Sequence, residues 1–536
     1  MRTFTTPLVG LLAATSLALS TPAWAQQFAL EAGKGLHWQN GQAQNLASLP
    51  VRAKRWDQRQ LPDGSRVALV LDGDRAELLL ARAQGERMSW VARHPAPPFE
   101  VERVCLHLDA QGLLHAFLLG TEGLSAQWLL SEGKALPERE FATPMEPSHC
   151  EVRDAEARLY ISEPGVGLWS YAADAELPQR ELLLHAPQLD EKQLHARLGE
   201  WLAQNPVKPL ATLATVGATA QTAVVKNPGD AADDPAIWLN PKQPQHSRVL
   251  GTDKKRGLAV YDLQGRERQF LAVGRINNVD LRQGLKYGGK PIDLAVATQR
   301  DEAGLVLFEI QPTGRVRELA RLPTSLNDIY GICVGRNSAG QLDIFPNDKD
   351  GRVQQIRLHR DGGAWRGERL REVQLASQPE GCVVDEARQQ LFVGEEKHGI
   401  WRVALAGDGP LQPVLAVAAG GALVPDVEGL ALFHGNALHN KRYLLVSSQG
   451  NDSFVLYDAD PPHALRGAFR IGINAALGLD AVSETDGLEL SAANFGGPYR
   501  DGLMVVQDGH KRLPQGTQNF KLVPWKAVLE KLGLLR

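Results

Sequence analysis

Short runs of alternating hydrophobic and polar residues, each bounded by Gly, Asp or Pro, dominate the chain after residue 26. Early examples are "SRVALVLDG", "LLHAFLLG" and "ARLYISEP", and later ones include "GLAVYDLQG", "GLVLFEIQPTG" and "RYLLVSSQGNDSFVLYD". A period of two between turn residues is typical of β-strands joined in a meander. The pattern therefore predicts an all-β protein.

One segment, "LDEKQLHARLGEWLAQ", departs from this alternation. Its larger apolar residues fall at i, i+4, i+7 and i+8, which is one face of a helix; they are Leu194, Leu198, Trp201 and Leu202. The segment "NPVKPLATLATVGATAQT" follows it and is rich in Pro and small residues. We interpret helix and linker as a domain boundary, which predicts a first domain over residues 26–205, a linker over 206–221 and a second domain over 222–536.

The two halves share a repeat. "PSHCEVRDAEARLYISEPGVGLW", from Pro147 to Trp169, aligns without a gap with "PEGCVVDEARQQLFVGEEKHGIW", from Pro379 to Trp401. The cysteines therefore form two equivalent pairs, and the simplest inference is a disulfide in each copy. The predicted bonds are Cys105–Cys150 and Cys333–Cys382, each closing a loop of nearly fifty residues. The alternative is four buried thiols.

Equivalent strand units in the second half recur about every fifty residues. A period of 40–50 residues with several strands in each unit is typical of β-propeller blades. About 315 residues leave room for about six blades. We therefore expect a C-terminal six-bladed β-propeller preceded by an incomplete propeller-like β domain of about three blades. An array of β-sandwiches is the structural alternative.

Composition and the N-terminus bear on location and partners. The chain has 536 residues and a net charge of −4, without a basic block of the kind that binds nucleic acid. Arg2, the apolar stretch "LVGLLAATSLAL" and "AWA" before Gln26 predict a signal peptide over residues 1–25. No later stretch approaches 18 apolar residues, so we expect no membrane span. The prediction is an exported monomer, periplasmic or secreted.

Acidic residues recur at the predicted strand ends, in "DDPAIW", "QPEG", "GEE", "PDVEG" and "ETDG". Equivalent turns of successive blades meet at one face of a propeller, and carboxylates crowded there are unfavourable unless a cation joins them. Oxygen ligands without His or Cys favour Ca²⁺ over Zn²⁺. The alternative for each acid is an ordinary solvated turn.

Basic residues recur with a similar spacing. Lys254, Arg300 and Lys349 lie about fifty residues apart, each at a similar place in its unit. Cations beside bridged carboxylates would form a site for a multiply charged anion, because both a metal and Lys or Arg can hold phosphate oxygens.

Ten motifs in collinear order, including "DDPAIWLNP", "TDKKRGLAVYDLQG", "YGICV", "QPEGCVVDE", "PDVEGLALF" and "ETDGLEL", resemble the β-propeller phytases, also called alkaline phytases. The resemblance covers about Thr222 to Gly533. It implies a six-bladed propeller that binds several Ca²⁺ ions and acts as a 3-phytase. The implied reaction is hydrolysis of phytate, myo-inositol hexakisphosphate, to lower inositol phosphates and phosphate through attack of a calcium-bound water.

Family roles carry over onto matching positions. Catalytic or phosphate-contacting roles are implied for Lys254, Arg300, Tyr330, Lys349 and Glu380, with Gln449 a further substrate-binding residue. Calcium ligands are implied at Asp233, Asp234, Asp350, Glu380, Glu396, Asp426, Glu428 and Asp486. At Asp350 the family has Glu, so the shorter side chain implies a ligand that is displaced or that binds through water.

Two other functions remain open from the residues alone. One is a non-catalytic, calcium-loaded propeller that binds polyanions or a protein partner, and the other is a six-bladed propeller lactonase. The first copy of the repeat lacks the implied site residues. It has Glu102, Thr121, Ser148 and Pro164 where the second has Tyr330, Lys349, Glu380 and Glu396. We therefore expect the first domain to be non-catalytic.

Overall fold

The computed structural model describes residues 26–31, 34–177, 179–206, 213–418 and 421–535. The predicted signal peptide lies outside these residues. Within them the chain forms 40 strands, two α-helices and four short 3-10 helices. The predicted all-β fold is confirmed. The 3-10 helices are Asp154–Glu156, Pro244–His246, Gln449–Asn451 and Gly497–Tyr499.

The first part of the chain forms one three-stranded sheet and three four-stranded antiparallel sheets. The first sheet contains β1 (Gln27–Glu31), β2 (Gly35–Gln39) and β3 (Asn45–Leu49). The second contains β4 (Ala53–Gln60), β5 (Arg66–Asp72), β6 (Glu77–Gln84) and β7 (Arg87–Pro95). The third contains β8 (Val101–Leu108), β9 (Leu114–Gly120), β10 (Leu124–Ser131) and β11 (Lys134–Ala142). The fourth contains β12 (His149–Arg153), β13 (Arg158–Glu163), β14 (Gly167–Ala172) and β15 (Arg180–His185).

The predicted helix is present as α1, Glu191–Gln204. Asp190 caps it by accepting a hydrogen bond from the amide of Gln193, whose side chain bonds back to the cap residue. Its apolar face packs on the fourth sheet and buries Leu194, Leu198 and Leu202. The helix therefore covers a sheet face that an adjacent blade would cover in a closed propeller.

The second part of the chain forms six sheets, which we number as blades 1 to 6. Blade 1 contains β18 (Ala232–Trp238), β19 (Arg248–Asp253), β20 (Gly257–Asp262) and β21 (Glu267–Leu271). Blade 2 contains β22 (Ile276–Tyr287), β23 (Lys290–Gln299), β24 (Gly304–Ile310) and β25 (Val316–Pro323). Blade 3 contains β26 (Ile329–Arg336), β27 (Leu342–Asp348), β28 (Arg352–Asp361) and β29 (Ala364–Gln374). Blade 4 contains β30 (Pro379–Asp385), β31 (Gln390–Glu395), β32 (Gly399–Ala404) and β33 (Gln412–Ala416).

The last two blades each take a strand from earlier in the chain. Blade 5 contains β34 (Val427–Phe433), β35 (Tyr443–Ser448), β36 (Ser453–Asp458) and β37 (Leu465–Gly472), and β16 (Ala214–Gly217) pairs parallel to β37. Blade 6 contains β38 (Leu488–Ser491), β39 (Leu503–Asp508) and β40 (Asn519–Pro524), and β17 (Ala220–Gln221) pairs antiparallel to β40. Helix α2, Trp525–Lys531, follows β40.

The first strands of the six blades contact one another in cyclic order, and β38 of blade 6 contacts β18 of blade 1. The six-bladed propeller is thus confirmed. The predicted linker is longer than the structure allows, because residues 214–217 and 220–221 are strands of blades 5 and 6. Their pairing partners lie more than 200 residues away, so local composition indicated a linker.

Both predicted disulfides are present, Cys105–Cys150 and Cys333–Cys382. Each joins the first strands of adjacent sheets, β8 to β12 and β26 to β30. Cys333 and Cys382 lie in an apolar cluster with Phe345 and Leu391 between blades 3 and 4. Each disulfide therefore links two neighbouring sheets near the centre of its domain. None of the described helices is long and apolar enough to span a membrane.

Candidate functional site

In blades 1 to 5, the second residue of the first strand carries a polar side chain at the candidate site. These residues are Asp233, Asn277, Tyr330, Glu380 and Glu428. In each of the five strands the pairing register shifts across this residue. A β-bulge bends its strand and changes the direction of a side chain. The same local irregularity therefore presents five side chains at one face of the ring, called here the top face.

Glycine follows three of these positions, and at two of them it lets neighbouring first strands approach closely. A Cβ at Gly331 would lie 2.1 Å from the carbonyl oxygen of Glu380. A Cβ at Gly381 would lie 2.2 Å from the carbonyl oxygen of Glu428. Both distances are far inside van der Waals contact, so only glycine allows the approach. The sequence pairs Tyr-Gly and Glu-Gly thus have a steric cause.

A second set of side chains comes from the hairpins between the second and third strands. The residue directly after the second strand is Lys254, Arg300, Lys349, Glu396 and Gln449 in blades 1 to 5. Because the second strand runs antiparallel to the first, it ends at the face where the first begins. The regular spacing of the basic residues in the sequence follows from this geometry.

Three glutamates from blades 4 and 5 form the carboxylate trio of the top face: Glu380, Glu396 and Glu428. One carboxylate oxygen from each lies within 4.8 Å of the others. Burial, reinforced by Asp233 and by Glu380 respectively, raises the pKa of Glu380 and of Glu428 well above their ordinary range. Burial also raises the pKa of Glu396. Among the described residues, nothing donates a hydrogen bond to Glu428 Oε2 or to either side-chain oxygen of Asp233.

Lys254 lies at the centre of a second acidic group beside the trio. Its Nζ is 2.7 Å from Asp230, 2.8 Å from Asp486 and 3.4 Å from Asp233. Burial lowers the pKa of Lys254, but the three carboxylates outweigh burial and the pKa is raised. Burial raises the pKa of Asp486 to about 7, and Gln449 Nε2 donates to its Oδ1 at 2.6 Å. Lys254 is therefore engaged by carboxylates and holds them together.

Tyr330 supports two cations at the same face. Lys349 Nζ lies 4.3 Å from the centre of its ring and Arg300 Cζ lies 5.5 Å from it, in cation–π contact. Arg300 also donates to Asn277 Oδ1 at 3.3 Å. Burial and the charge of Glu380 raise the pKa of Tyr330, so the phenol keeps its proton. Two positive groups are thus held next to the carboxylate trio.

Asp234 does not join these groups. It lines a cavity of about 270 Å³ between the first strands of the blades, together with Asp280 and Glu489. Its Oδ2 accepts a hydrogen bond from the amide of Val279 at 3.0 Å. Burial and the charge of neighbouring Asp233 raise its pKa well above the ordinary range. Consecutive strand residues point to different sides, which separates Asp234 from Asp233.

Two other predicted metal ligands make ion pairs in the structure. Asp350 is half exposed, and its Oδ2 is 2.8 Å from Arg352. Asp426 pairs with Lys397. Asp350 lies one residue beyond Lys349 in its hairpin, where its short side chain reaches the nearby arginine and stays outside the trio. The metal role of these two residues stays a prediction.

Sequence reasoning missed three residues that complete the site. Asn277 Nδ2 donates to Glu380 Oε1 across the ring at 3.0 Å. Gln378 Nε2 donates to Glu396 Oε1 at 2.5 Å. Asp230 pairs with Lys254, as described above. The only sequence signal was positional, because Asn277 occupies the same place in its strand as Glu380 does.

Comparisons with known proteins agree with this geometry. A family profile described as Phytase matches residues 203–535. The 3-phytase of Bacillus subtilis (strain 168) is 34% identical over 332 residues, in an alignment that covers 59% of this chain and 85% of that protein.

Two solved structures resemble the fold weakly. BBS1N in complex with ARL6DN is 13% identical, with a TM-score of 0.33, over 70% of this chain and 89% of that one. Sqt1 of Saccharomyces cerevisiae is 9% identical, with a TM-score of 0.28, over 74% of this chain and 96% of that one. At these TM-scores neither likeness supports an argument about function.

Proposed function

The chain belongs to the phytase family and is a phosphoric monoester hydrolase, and we propose that it hydrolyses phytate with calcium held by the top-face carboxylates. The products are phosphate and lower inositol phosphates. The single observation that supports calcium is the carboxylate trio, which brings three buried acids together with no lysine or arginine in ion-pair contact with them among the described residues.

The side chains of the site suit a hard cation. Like charges at this separation repel strongly in a buried site, and a cation converts the repulsion into attraction. The donors are all oxygen atoms, which favours calcium or magnesium over transition metals. Glu380, Glu396 and Glu428 would hold one ion, and Asp233, whose Oδ2 is 3.4 Å from Lys254 Nζ, would contribute to an adjacent one. When bound, calcium supplies positive charge that lowers the pKa of water and neutralises phosphate oxygens.

The basic residues bind and orient the substrate. Arg300 and Lys349 both contact the ring of Tyr330, so their charges lie close to each other. They accept a phosphate group of phytate and stabilise the charge that develops on its oxygens during transfer. Lys254 has a different role, because it is bound by three carboxylates and keeps Asp233 and Asp486 in position.

The chemical step needs no covalent intermediate. Water attacks phosphorus in line, the bond from phosphorus to the inositol oxygen breaks, and that oxygen takes a proton. The carboxylates beside the site accept the proton lost from water. Tyr330 keeps its own proton and serves as a platform for the cations.

A phosphate-release assay tests the proposal. Protein stripped of metal with a chelator should release almost no phosphate from phytate, and added calcium should restore release in a saturable way. Glu380→Gln should abolish the restored activity, whereas Glu368→Gln, an exposed acid on β29, should keep it. Full activity of the stripped protein in excess chelator contradicts the calcium requirement. Binding of phytate without phosphate release would favour the polyanion-binding alternative.

Location and assembly remain part of the proposal. Two disulfides suit an oxidising compartment, so we propose an exported enzyme. We also propose that it acts as a monomer on a polyphosphorylated small molecule, without nucleic acid or membrane partners. Fractionation of cells that express the full chain, followed by sizing of the active fraction, tests both statements.

A further inference from the structure

Asp486 belongs to a connecting segment, residues 480–487, that joins blade 5 to blade 6 and is called here the Asp486 segment. Its backbone is held by groups from elsewhere in the propeller: the amides of Gly429 and Gly509 donate to the carbonyl oxygens of Asp486 and Ser483, each at 2.8 Å. The amide of Asp486 donates to Gln507 Oε1 at 3.0 Å, and the hydroxyl of Thr485 donates to the Gln507 carbonyl oxygen at 3.0 Å. The position of Asp486 therefore depends on how this segment is held.

The N-terminal domain contacts the Asp486 segment through a buried hydrogen bond. Ser483 Oγ donates to Glu176 Oε2 at 2.8 Å, across 307 positions of sequence. Ser483 is fully buried and Glu176 is 6% exposed. Arg512 Nε lies 3.6 Å from the same carboxylate oxygen. Glu176 is the partner that the N-terminal domain supplies to this segment.

The turn that carries Glu176 is itself rigidly supported. Arg139, which is buried, donates to the carbonyl oxygens of Ala172 at 2.7 Å and Leu177 at 2.9 Å. The amide of Glu176 donates to Asp174 Oδ1 at 3.0 Å. Because these hydrogen bonds fix the turn, Glu176 has a defined position and can hold Ser483 in place.

The Asp486 segment needs such support at Ser483. The next residue, Glu484, has a φ of +47°, a conformation that is unfavourable for a residue with a side chain. Its amide donates to Asp452 Oδ1 at 2.8 Å. Strained backbone persists only where the surroundings determine it. The bonds at Ser483 and Glu484 hold the bend from which the chain reaches Asp486.

We infer that Glu176 is a positioning residue for the catalytic site, acting through Ser483 on Asp486. The inference rests on the proposed function, in which Asp486 and Lys254 belong to the calcium and phosphate site. Glu176 lies outside residues 203–535, the part that matches the family. The N-terminal domain, which lacks the site residues itself, thus supplies a support to the site of the propeller.

Four full-length variants test the inference: Glu176→Ala, Glu176→Gln, Ser483→Ala and the double alanine variant. Glu176→Ala and Ser483→Ala should each raise the calcium concentration for half-maximal phosphate release by about 3- to 10-fold, the factor expected from one net hydrogen bond. The double variant should be no worse than either single variant, because both remove the same bond. Glu176→Gln should keep the calcium concentration for half-maximal release close to the wild-type value, because its amide oxygen still accepts the hydrogen bond from Ser483. Glu181→Ala, an exposed acid on β15, is the matched control.

Hydrogen exchange separates this inference from the proposed function. In calcium-free full-length protein, Glu176→Ala should speed amide exchange of residues 480–487 by about the same factor, whether or not the protein hydrolyses phytate. If the wild-type protein does not hydrolyse phytate but Glu176→Ala still speeds amide exchange in the segment, the proposed function fails and the positioning contact stands. If exchange and the calcium dependence both stay at wild-type values, Glu176 does not position the segment. Equal effects of Glu181→Ala, or additive effects in the double variant, would also overturn the inference.

Discussion

Replacing Glu428 with glutamine should have opposite effects on stability with and without calcium. Two full charges within 4.8 Å of each other repel by at least about 3 kcal/mol at an effective dielectric constant of 20. Glu428 has two such neighbours in the carboxylate trio. In the calcium-free protein burial, reinforced by this repulsion, raises the pKa of Glu428, so the acid retains its proton more readily. Glutamine imitates the protonated form without needing a proton.

The magnitude depends on pH in a defined direction. A carboxyl whose pKa is raised in the folded protein stabilises the fold below the ordinary pKa, and that contribution is lost as the pH rises toward the folded pKa. For Glu428 the ordinary value is 4.5. Above this value the folded acid keeps a proton that the unfolded chain has lost, and each pH unit over which it does so costs about 1.4 kcal/mol. Glu428→Gln should therefore raise the free energy of unfolding at pH 7.5 and change it little at pH 4.5.

Urea unfolding of calcium-free protein at the two pH values measures this difference. In saturating calcium the sign should reverse, because the wild-type trio binds the ion and the variant has lost a charged ligand. Glu368→Gln should show neither effect. The reasoning is refuted if Glu428→Gln destabilises the calcium-free protein at pH 7.5, or if its effect is the same at both pH values.

Three further results are expected. Lys349→Met should lower the rate of phosphate release from phytate at least about 100-fold, because one electrostatic stabiliser of a developing charge is often worth that factor. Lys349→Arg should recover part of the rate. An unchanged rate in Lys349→Met would show that Lys349 does not belong to the site. Replacing both cysteines of the propeller disulfide with serine should lower the free energy of unfolding by about 2–5 kcal/mol in urea, and no change would mean that the bond is dispensable. A fragment of residues 213–536 should hydrolyse phytate with a weaker response to calcium, whereas 222–536, without β16 and β17, should unfold more easily, and 26–205 should be inactive.

The fold was largely predictable because its signals are local and repeated. Alternation of apolar residues depends on neighbours within one strand, and the spacing of about fifty residues depends on the length of one blade. The bases Lys254, Arg300 and Lys349 could be grouped from sequence because each follows the second strand of its blade. The cysteine pairs followed from the repeat, since equivalent strands bring equivalent cysteines together.

What could not be predicted depends on pairing between distant residues or on the side to which a residue points. Strand β16 forms only because β37, more than 200 residues later, offers its edge. Asp233 and Asp234 are adjacent in sequence, yet Asp233 faces Lys254 and Asp234 lines the cavity between the first strands of the blades. Asp350 has the right residue type but lies within reach of Arg352. Neither the composition of the chain nor the spacing of its residues indicates these strand partners and side-chain directions.

The repeat shows which parts of a blade are structural and which are functional. Trp169 Nε1 donates to Glu163 Oε2 at 2.7 Å, and in the second copy Trp401 Nε1 donates to Glu395 Oε2 at the same distance. The residue after each glutamate differs: Pro164 in the first copy and Glu396 in the second. The bond that shapes the hairpin is present in both copies, whereas the carboxylate of the site is present in one.

Within its described residues, the N-terminal domain also lacks sheets equivalent to the blades that complete the site in the propeller. In the propeller, Glu428 comes from blade 5 and Asp486 from the segment before blade 6. In the described N-terminal residues, α1 follows the fourth sheet and covers it, with Leu194 and Leu198 packed against Tyr160 and Leu168. Helix α1 buries the face of that sheet, but it supplies no carboxylate that could face the acids of the other sheets. Even with acids restored in its strands, the N-terminal domain would lack the partners that make buried carboxylates a cation site, and its remaining contribution is the support that Glu176 gives to its neighbour.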